Sequence, residues 1–433
     1  MTPTSGHADE AARRTLLLAT AALHRGRFDA AHELAAQVLG NSALLSPAYG
    51  HDGQRRHRLE SQAVAVCVDA EIGRSQVAAA TDFADEAWAV DPVDPVVLAA
   101  RVRAWEARDG DDGALQAFGL TRLSTCEPDG VAPDLRLPVC LTICRNERHQ
   151  LDSFLHHHRG IGVGHFVVVD NGSTDGSVEF LRRQHDVDLW STDTGFRDLA
   201  FGAAAFMAIS RRQLRQRWLL IVDADERFVV PPPCDNVADL LVALDSERCD
   251  ALDGVLVDLY DDQPFGAPRS HVPRDLRERS WLDRTWMHGV HEHAGPFANA
   301  DHLVGGVRQR LFGSPPDFLL SKVPLVRQSP DRLLVAGQHD TNVSATRRSH
   351  GRAAVLHTKF LADASRLSVE AGRRQHANDA RDYARYTSLL ADAPSRSFLA
   401  PEESVRYTGP EILSELAIVR PMPSPPAHRA VEP

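Results

Sequence analysis

The sequence predicts an α/β protein, a mostly parallel sheet with flanking helices, preceded by an all-α region. Three observations carry that prediction. From Val139 onward, short apolar runs of strand length alternate with helical stretches, the pattern of a parallel sheet covered on both faces. Ahead of it, residues 15 to about 118 place apolar side chains at helical spacing. The polar clusters "CRNE", "DNGSTDGS" and "DADE" each begin where an apolar strand stops, and ligands bind such sheets at the carboxyl ends of the strands.

Taken in order, "GRFDAAHELAAQVLG" sets Phe28, Ala31, Leu34, Ala35, Val38 and Leu39 on one helical face. "DPVVLAARVRAWEA" offers Asp94 as N-cap and Pro95 at the first helical position, with Leu98, Val102 and Trp105 facing inward. The stretch Gly26 to Ala31 and the ending "EAWAVDP" resemble tetratricopeptide repeats, but Gly26, Gly73 and Gly110 do not recur every ~34 residues. Degenerate repeats and an unrelated helical bundle both fit. The polar "STCEPDGVAPDLRLP" reads as a linker.

Beyond it, "VCLTI", "HFVVV", Val187 to Trp190 and "WLLIV" read as strands, and Leu151 to Arg159, Ser177 to Gln184 and Phe201 to Arg215 as helices. "ALDGVLVDLY" is a further strand, Asp275 to Trp286 is mixed, and Ser365 to Leu390 is amphipathic and helical. The expected parts are a helical region at 1–120, a linker at 121–136, an α/β domain at 137–419 and a Pro-rich, disordered tail at 420–433.

Composition narrows the function classes. A net charge of −11 gives no support to non-specific nucleic-acid binding. The start has no apolar stretch behind a basic end, and no run approaches the ~18 apolar residues of a spanning helix, so a cytoplasmic protein is expected, with membrane contact at most peripheral at the inner face. Six scattered cysteines without C-x-x-C pairs read as reduced core residues. Basic residues are almost all Arg; the only lysines are Lys322 and Lys359.

The chemistry gathers at the strand ends. Asp223 and Asp225 close a buried strand, and two carboxylates there suit a hard divalent ion, Mn²⁺ or Mg²⁺, shared with a substrate's phosphates. The bland alternative is a helix cap or a pair with Arg227. Glu226 is expected to turn away, paired with an Arg. Asp170 ends "VVV" before a turn and a helix, where a carboxylate can accept hydrogen bonds from a base or ribose, whereas Asp175 reads as a plain cap.

"VCLTICRNERHQLDSFLHHHRGIGVGHFVVVDNGSTDGS", "WLLIVDADERFVV", "FLLSKVPLVRQSP" and "AAVLHTKFLADAS", in that order over about Leu137 to Val419, resemble a bacterial branch of the family 2 glycosyltransferases. The resemblance implies a GT-A, Rossmann-like nucleotide-sugar fold. It implies that Asn146 and Glu147 line the nucleotide pocket, that Asp170 meets uracil or ribose, and that Asp223, Asp225 and His357 hold the metal on the diphosphate. The implied reaction is inverting, metal-dependent transfer of a sugar from a UDP-linked donor to a saccharide or lipid-linked acceptor. Two departures stand out: Asn171 replaces a second Asp, and the acidic "ED" signature that supplies the base is not recognisable.

For that base, Asp258 ranks first, as an acid embedded in an apolar stretch with an expected raised pKa; Asp261, Asp262 and Glu292 are the alternatives. Lys322 and Arg327 are the expected cations for the diphosphate. "HGVHEH" lacks the zinc-protease spacings and reads as structural or acceptor-loop histidines, "HHH" at 156–158 cannot converge on a helix, and "RRQLRQR" reads as a solvated face. The rival readings are a nucleotidyltransferase of similar fold, which the glycine-free "TICRNERHQ" disfavours, and an inactive scaffold whose N-terminal helices recruit a partner protein.

Overall fold

The computed structural model describes residues 5–40, 51–126, 137–289, 302–313, 319–373 and 381–423. The N-terminal region is helical as expected: α1 (Ser5–His24), α2 (Phe28–Gly40), α3 (His51–Gly73), α4 (Val77–Val90), α5 (Pro95–Asp109) and the short α6 (Gly113–Ala117). Ala31, Ala35 and Val38 of α2 are buried, with Phe28, Leu34 and Leu39 packed beside them. The Asp94 carboxylate accepts from Val96 N (2.8 Å) and Val97 N (2.9 Å) and so caps α5. Helices of 20, 13, 23, 14 and 15 residues give no regular ~34-residue period.

The strands are β1 (Thr121–Ser124), β2 (Val139–Cys144), β3 (Phe166–Asp170), β4 (Val187–Ser191), β5 (Trp218–Ile221), β6 (Glu226–Val229), β7 (Ala251–Tyr260), β8 (Trp281–Asp283), β9 (Trp286–Gly289), β10 (His302–Gly305), β11 (Ser321–Arg327), β12 (Arg348–Phe360) and β13 (Ser404–Arg406). The main sheet runs β1-β4-β3-β2-β5-β11-β7-β12-β6, with β8 and β13 branching from β7, while β9 and β10 pair separately. Within it β4-β3-β2-β5 are parallel, as are β7 and β12. Strand β11 is antiparallel to both β5 and β7, β1 to β4, and β6 to β12.

The sheet is therefore mixed, not mostly parallel. The reason lies in β11: it is buried along nearly its whole length, and a doubly buried strand reads the same in either direction. Part of the expected linker also belongs to the sheet, since Thr121 and Arg122 pair with Ser191 and Trp190. Residues 127–136 of that linker and 424–433 of the tail lie outside the described residues. At the start of the expected tail, Arg420 bridges Arg352 and Met422 is buried.

Period-two alternation sends one set of side chains to each face. Cys140, Cys144, Phe166, Val168, Trp218 and Leu220 pack under Leu151 and Phe154 of helix 148–160 and Leu240 and Leu244 of helix 237–246. The intervening Leu141, Ile143, Val167, Val169, Leu219 and Ile221 pack under Phe206 and Ile209 of helix 203–213. The same apolar cluster runs on into Val64 and Val68 of α3, Trp88 of α4, and Leu98 and Val102 of α5. Arg211 seals the junction with a 2.7 Å pair to Glu106 of α5, so the basic run at 211–217 is partly an internal seam.

Candidate active site

The site is built on the turn between β5 and β6. Glu226 N donates to Asp223 O (2.9 Å), so the chain reverses within "DADE" instead of letting the aspartates converge. Arg227, fully buried, donates to Ala224 O (2.9 Å) and Glu226 O (3.0 Å) and braces the turn from inside. Thr358 N donates to Asp225 O (2.8 Å) and ties the turn to β12.

The consequence is a split pair. Asp225 lines a cleft of roughly 270 Å³, open to solvent, together with Asn146, Glu147, Asp175, Lys359 and Arg366. Asp223 lines a separate void of only about 10 Å³ with Glu226, Lys322 and Phe201. Burial, then the neighbouring Glu226, pushes the Asp223 carboxyl up to about 6. Burial works against ionised Asp225 too, but His357 and Lys359 outweigh it and hold that carboxyl well below the ordinary range.

Besides the buried Arg227, three side chains bring positive charge to the carboxylates of this turn. His357 Nε2 lies 3.0 Å from Asp225 Oδ2, and Lys359 Nζ 3.5 Å from the same oxygen. Lys322 Nζ lies 2.7 Å from Glu226 Oε1. Glu226 does turn away from the cleft, but its partner is a lysine, not an arginine. His357 sits on β12 between Glu226 of β6 and Asp258 of β7, and its Nδ1 is 2.6 Å from Asp258 Oδ1.

Asp258 is not the expected raised-pKa base. Burial favours its neutral form, yet Arg308 (Nε to Oδ2, 2.7 Å) and His357 overcome that and pull the carboxyl down to about 2. It is a held anion that orients the imidazole. Asp261 forms a buried, two-point pair with Arg269 (2.6 and 2.9 Å), and Asp262 is exposed on the adjoining loop. Glu292 lies outside the described residues, as do His291 and His293 of the same histidine cluster. Lys322 is closed off, its ammonium also donating to Gly337 O (2.8 Å). Arg327 is at the wrong end of the sheet: β11 runs antiparallel, so Arg327 pairs with Trp218 at the start of β5 and reaches Asp245 and Asp250.

The loops after β2 and β3 reach the cleft through Asn146, Glu147, Thr174 and Asp175, with Asp170 and Asn171 buried behind them. Asn146, in the left-handed region at φ 56°, accepts from Thr174 N (2.7 Å) through Oδ1 and clamps the 172–175 turn. Asp170 Oδ2 accepts from Gly172 N (3.1 Å) and Ser173 N (3.0 Å); its Oδ1, buried, has no partner among the described residues. Asn171 donates to Thr192 O (3.1 Å) and Thr194 O (2.8 Å), contacts that an aspartate could not make. Asp175 accepts from Ser177 N (3.0 Å) and Arg148 N (2.9 Å), a capping role as expected. His158 is a packing residue, accepting from Phe228 N (3.3 Å).

Burial pushes Glu147 up to about 7 against the opposing pull of Arg366. Burial and Arg366 drive the neighbouring His149 down to about 3, so that imidazole is neutral. Sequence reasoning passed over Lys359, Arg308, Arg366 and Tyr383. For Lys359 a signal existed: it follows His357 by two residues in a strand, which places both on one face.

As metal ligands, Asp225 and His357 have suitable chemistry and lie together, while Asp223 faces the other cavity. Among the described residues, no group of three or more His, Cys, Asp or Glu is arranged to hold a metal ion. No described helix is long and apolar enough to cross a membrane.

No family model matches the chain. No curated protein matches it either. Among solved structures it is similar to S. aureus TarS, at 12% identity and a TM-score of 0.24, over 59% of this chain and 44% of that one. It is also similar to a Thermobaculum terrenum O-GlcNAc transferase mutant, at 15% identity and a TM-score of 0.13, over 49% of this chain and 45% of the other. The chain thus matches less than half the length of either.

Proposed function

We propose that this chain is an inverting glycosyltransferase that moves a sugar from a UDP-linked donor to a hydroxyl of a saccharide or lipid-linked acceptor. The observation that carries the reading is the cleft beside the β5–β6 turn, where Glu147, Asp175 and Asp225 face Lys359 and Arg366. A nucleotide sugar needs such a mixed wall, with acceptors for hydroxyls and base N–H groups and cations for the diphosphate. Asp170 Oδ1, which has no partner among the described residues, is the acceptor we assign to the base or ribose.

In this reading Asp225 and His357 would hold Mn²⁺ or Mg²⁺ when the donor is bound. Bound there, the ion would offset charge on the departing diphosphate. Asp258 and Arg308 fix the ring of His357 from behind. Glu147 lines the cleft with a carboxyl near neutrality, the property of a group that takes a proton from an attacking hydroxyl. The test is a screen of nucleotide sugars with Mn²⁺ and with chelator, following nucleotide release and calorimetric binding. If no nucleotide sugar is bound or hydrolysed in either buffer, the reading is wrong.

A further inference from the structure

Only two of the chain's 48 basic residues are lysines, and both stand at the same turn. Against that Arg-dominated background, two ammonium groups at one site mark a place where a guanidinium does not serve. Arginine offers a planar fork for paired acceptors; lysine offers a compact point charge with three rotatable donors.

The two lysines are in different states. Lys322 is only 5% exposed, and its ammonium is engaged by Glu226 and Gly337 O at 2.7 and 2.8 Å. Freeing it for a ligand would strand Glu226 in the interior, a costly step. Lys359 faces the open cleft. Among the described residues its Nζ makes one hydrogen bond, to Tyr383 Oη at 2.8 Å, and lies 4.9 Å from the centre of that ring. Asp225 at 3.5 Å attracts it without saturating it. Arg366 sits on the same cleft wall, donating to Asn146 O and lying 3.7 Å from Glu147.

We propose that Lys359 is the side chain that holds the diphosphate of the donor, with Lys322 as its structural counterpart locking Glu226. Tyr383 and Asp225 keep the ammonium at the cleft wall, and its remaining donors turn to phosphate oxygens. When the bond from the anomeric carbon to the diphosphate oxygen breaks, both electrons leave with that oxygen, and the added charge falls beside a fixed cation. This rests on the nucleotide-sugar reading but not on a metal, so the contact persists in chelator.

The experiment titrates the full chain calorimetrically with UDP, uridine and inorganic diphosphate, in Mn²⁺ and in chelator. Lys359→Met and the polar Lys359→Gln should each lower UDP and diphosphate affinity ~10- to 100-fold in both buffers while leaving uridine within about twofold. Lys359→Arg should recover only part of the loss. A wild-type preference for UDP over uridine that survives in both Lys359→Met and Lys359→Gln overturns the assignment and leaves the nucleotide-sugar reading standing. Wild-type protein that binds diphosphate through Lys359 but no nucleotide does the reverse, keeping the anion contact and removing the nucleotide-sugar reading. Binding none of the probes removes both.

Discussion

A carboxylate gripped by an imidazole on one side and a guanidinium on the other is a hinge pin for both. Asp258→Asn leaves Arg308 without its buried counter-charge and His357 without the anion that fixes its tautomer, so a stability loss of about 3–5 kcal/mol is expected in urea unfolding. An unfolding midpoint unchanged from wild type would show that the pair is not holding the fold. Glu147 makes the opposite contribution. Its carboxyl rises from an ordinary 4.5 to about 7 on folding, so the native state binds the proton more tightly. The stability it lends is full below the lower value and is lost as pH climbs through that window. Glu147→Gln should therefore lose less stability than wild type between pH 5 and 8, measured by urea unfolding at each pH, with a residual slope from Asp223. That Asp223 and Asp225 mark a special turn was legible because a buried strand ending in acids is itself unusual. Their divergence was not, because the turn that parts them is held by backbone contacts and by residues distant in the chain, Glu226 N to Asp223 O and Thr358 N to Asp225 O among them.

Elements were read with more success than their directions. β7 spans the whole of "ALDGVLVDLY", and Asp94 caps α5 where the S/T/D/N-before-apolar pattern placed it. Asp94 also accepts from Ser61 Oγ of α3 at 2.6 Å, joining two helices through one carboxylate. Asp94→Ala should cost about 1–2 kcal/mol in thermal or urea unfolding, toward the upper end for a cap because that second contact goes as well. A loss no larger than for an exposed surface alanine would remove the capping role. The direction of β11 had no such local mark. Its centre, Val323 to Val326, is apolar on both faces and each end carries one basic residue, so nothing in "SKVPLVR" says which end meets the site, and Lys322 and Arg327 end up at opposite ends of the strand.

At the scale of the molecule, the helical region and the sheet share one apolar layer. A fragment beginning at Leu137 would uncover the side of helix 203–213 that α5 and α6 pack against, and would strip the sheet of its edge strand β1. We expect such a fragment to be insoluble or to melt without a cooperative transition, followed by near-UV circular dichroism beside the full chain. A fragment that melts as sharply as the whole protein would restore the helices to the status of an appendage. The sequence boundary at 121–136 was visible as a change in composition; the packing across it was not, because apolar residues on a helix do not name their partner. The shared layer limits how the protein could have been assembled in evolution. A recombination joint at that polar stretch would hand the new chain a half-dressed sheet, so the helices could be exchanged only for others already cut to the same surface.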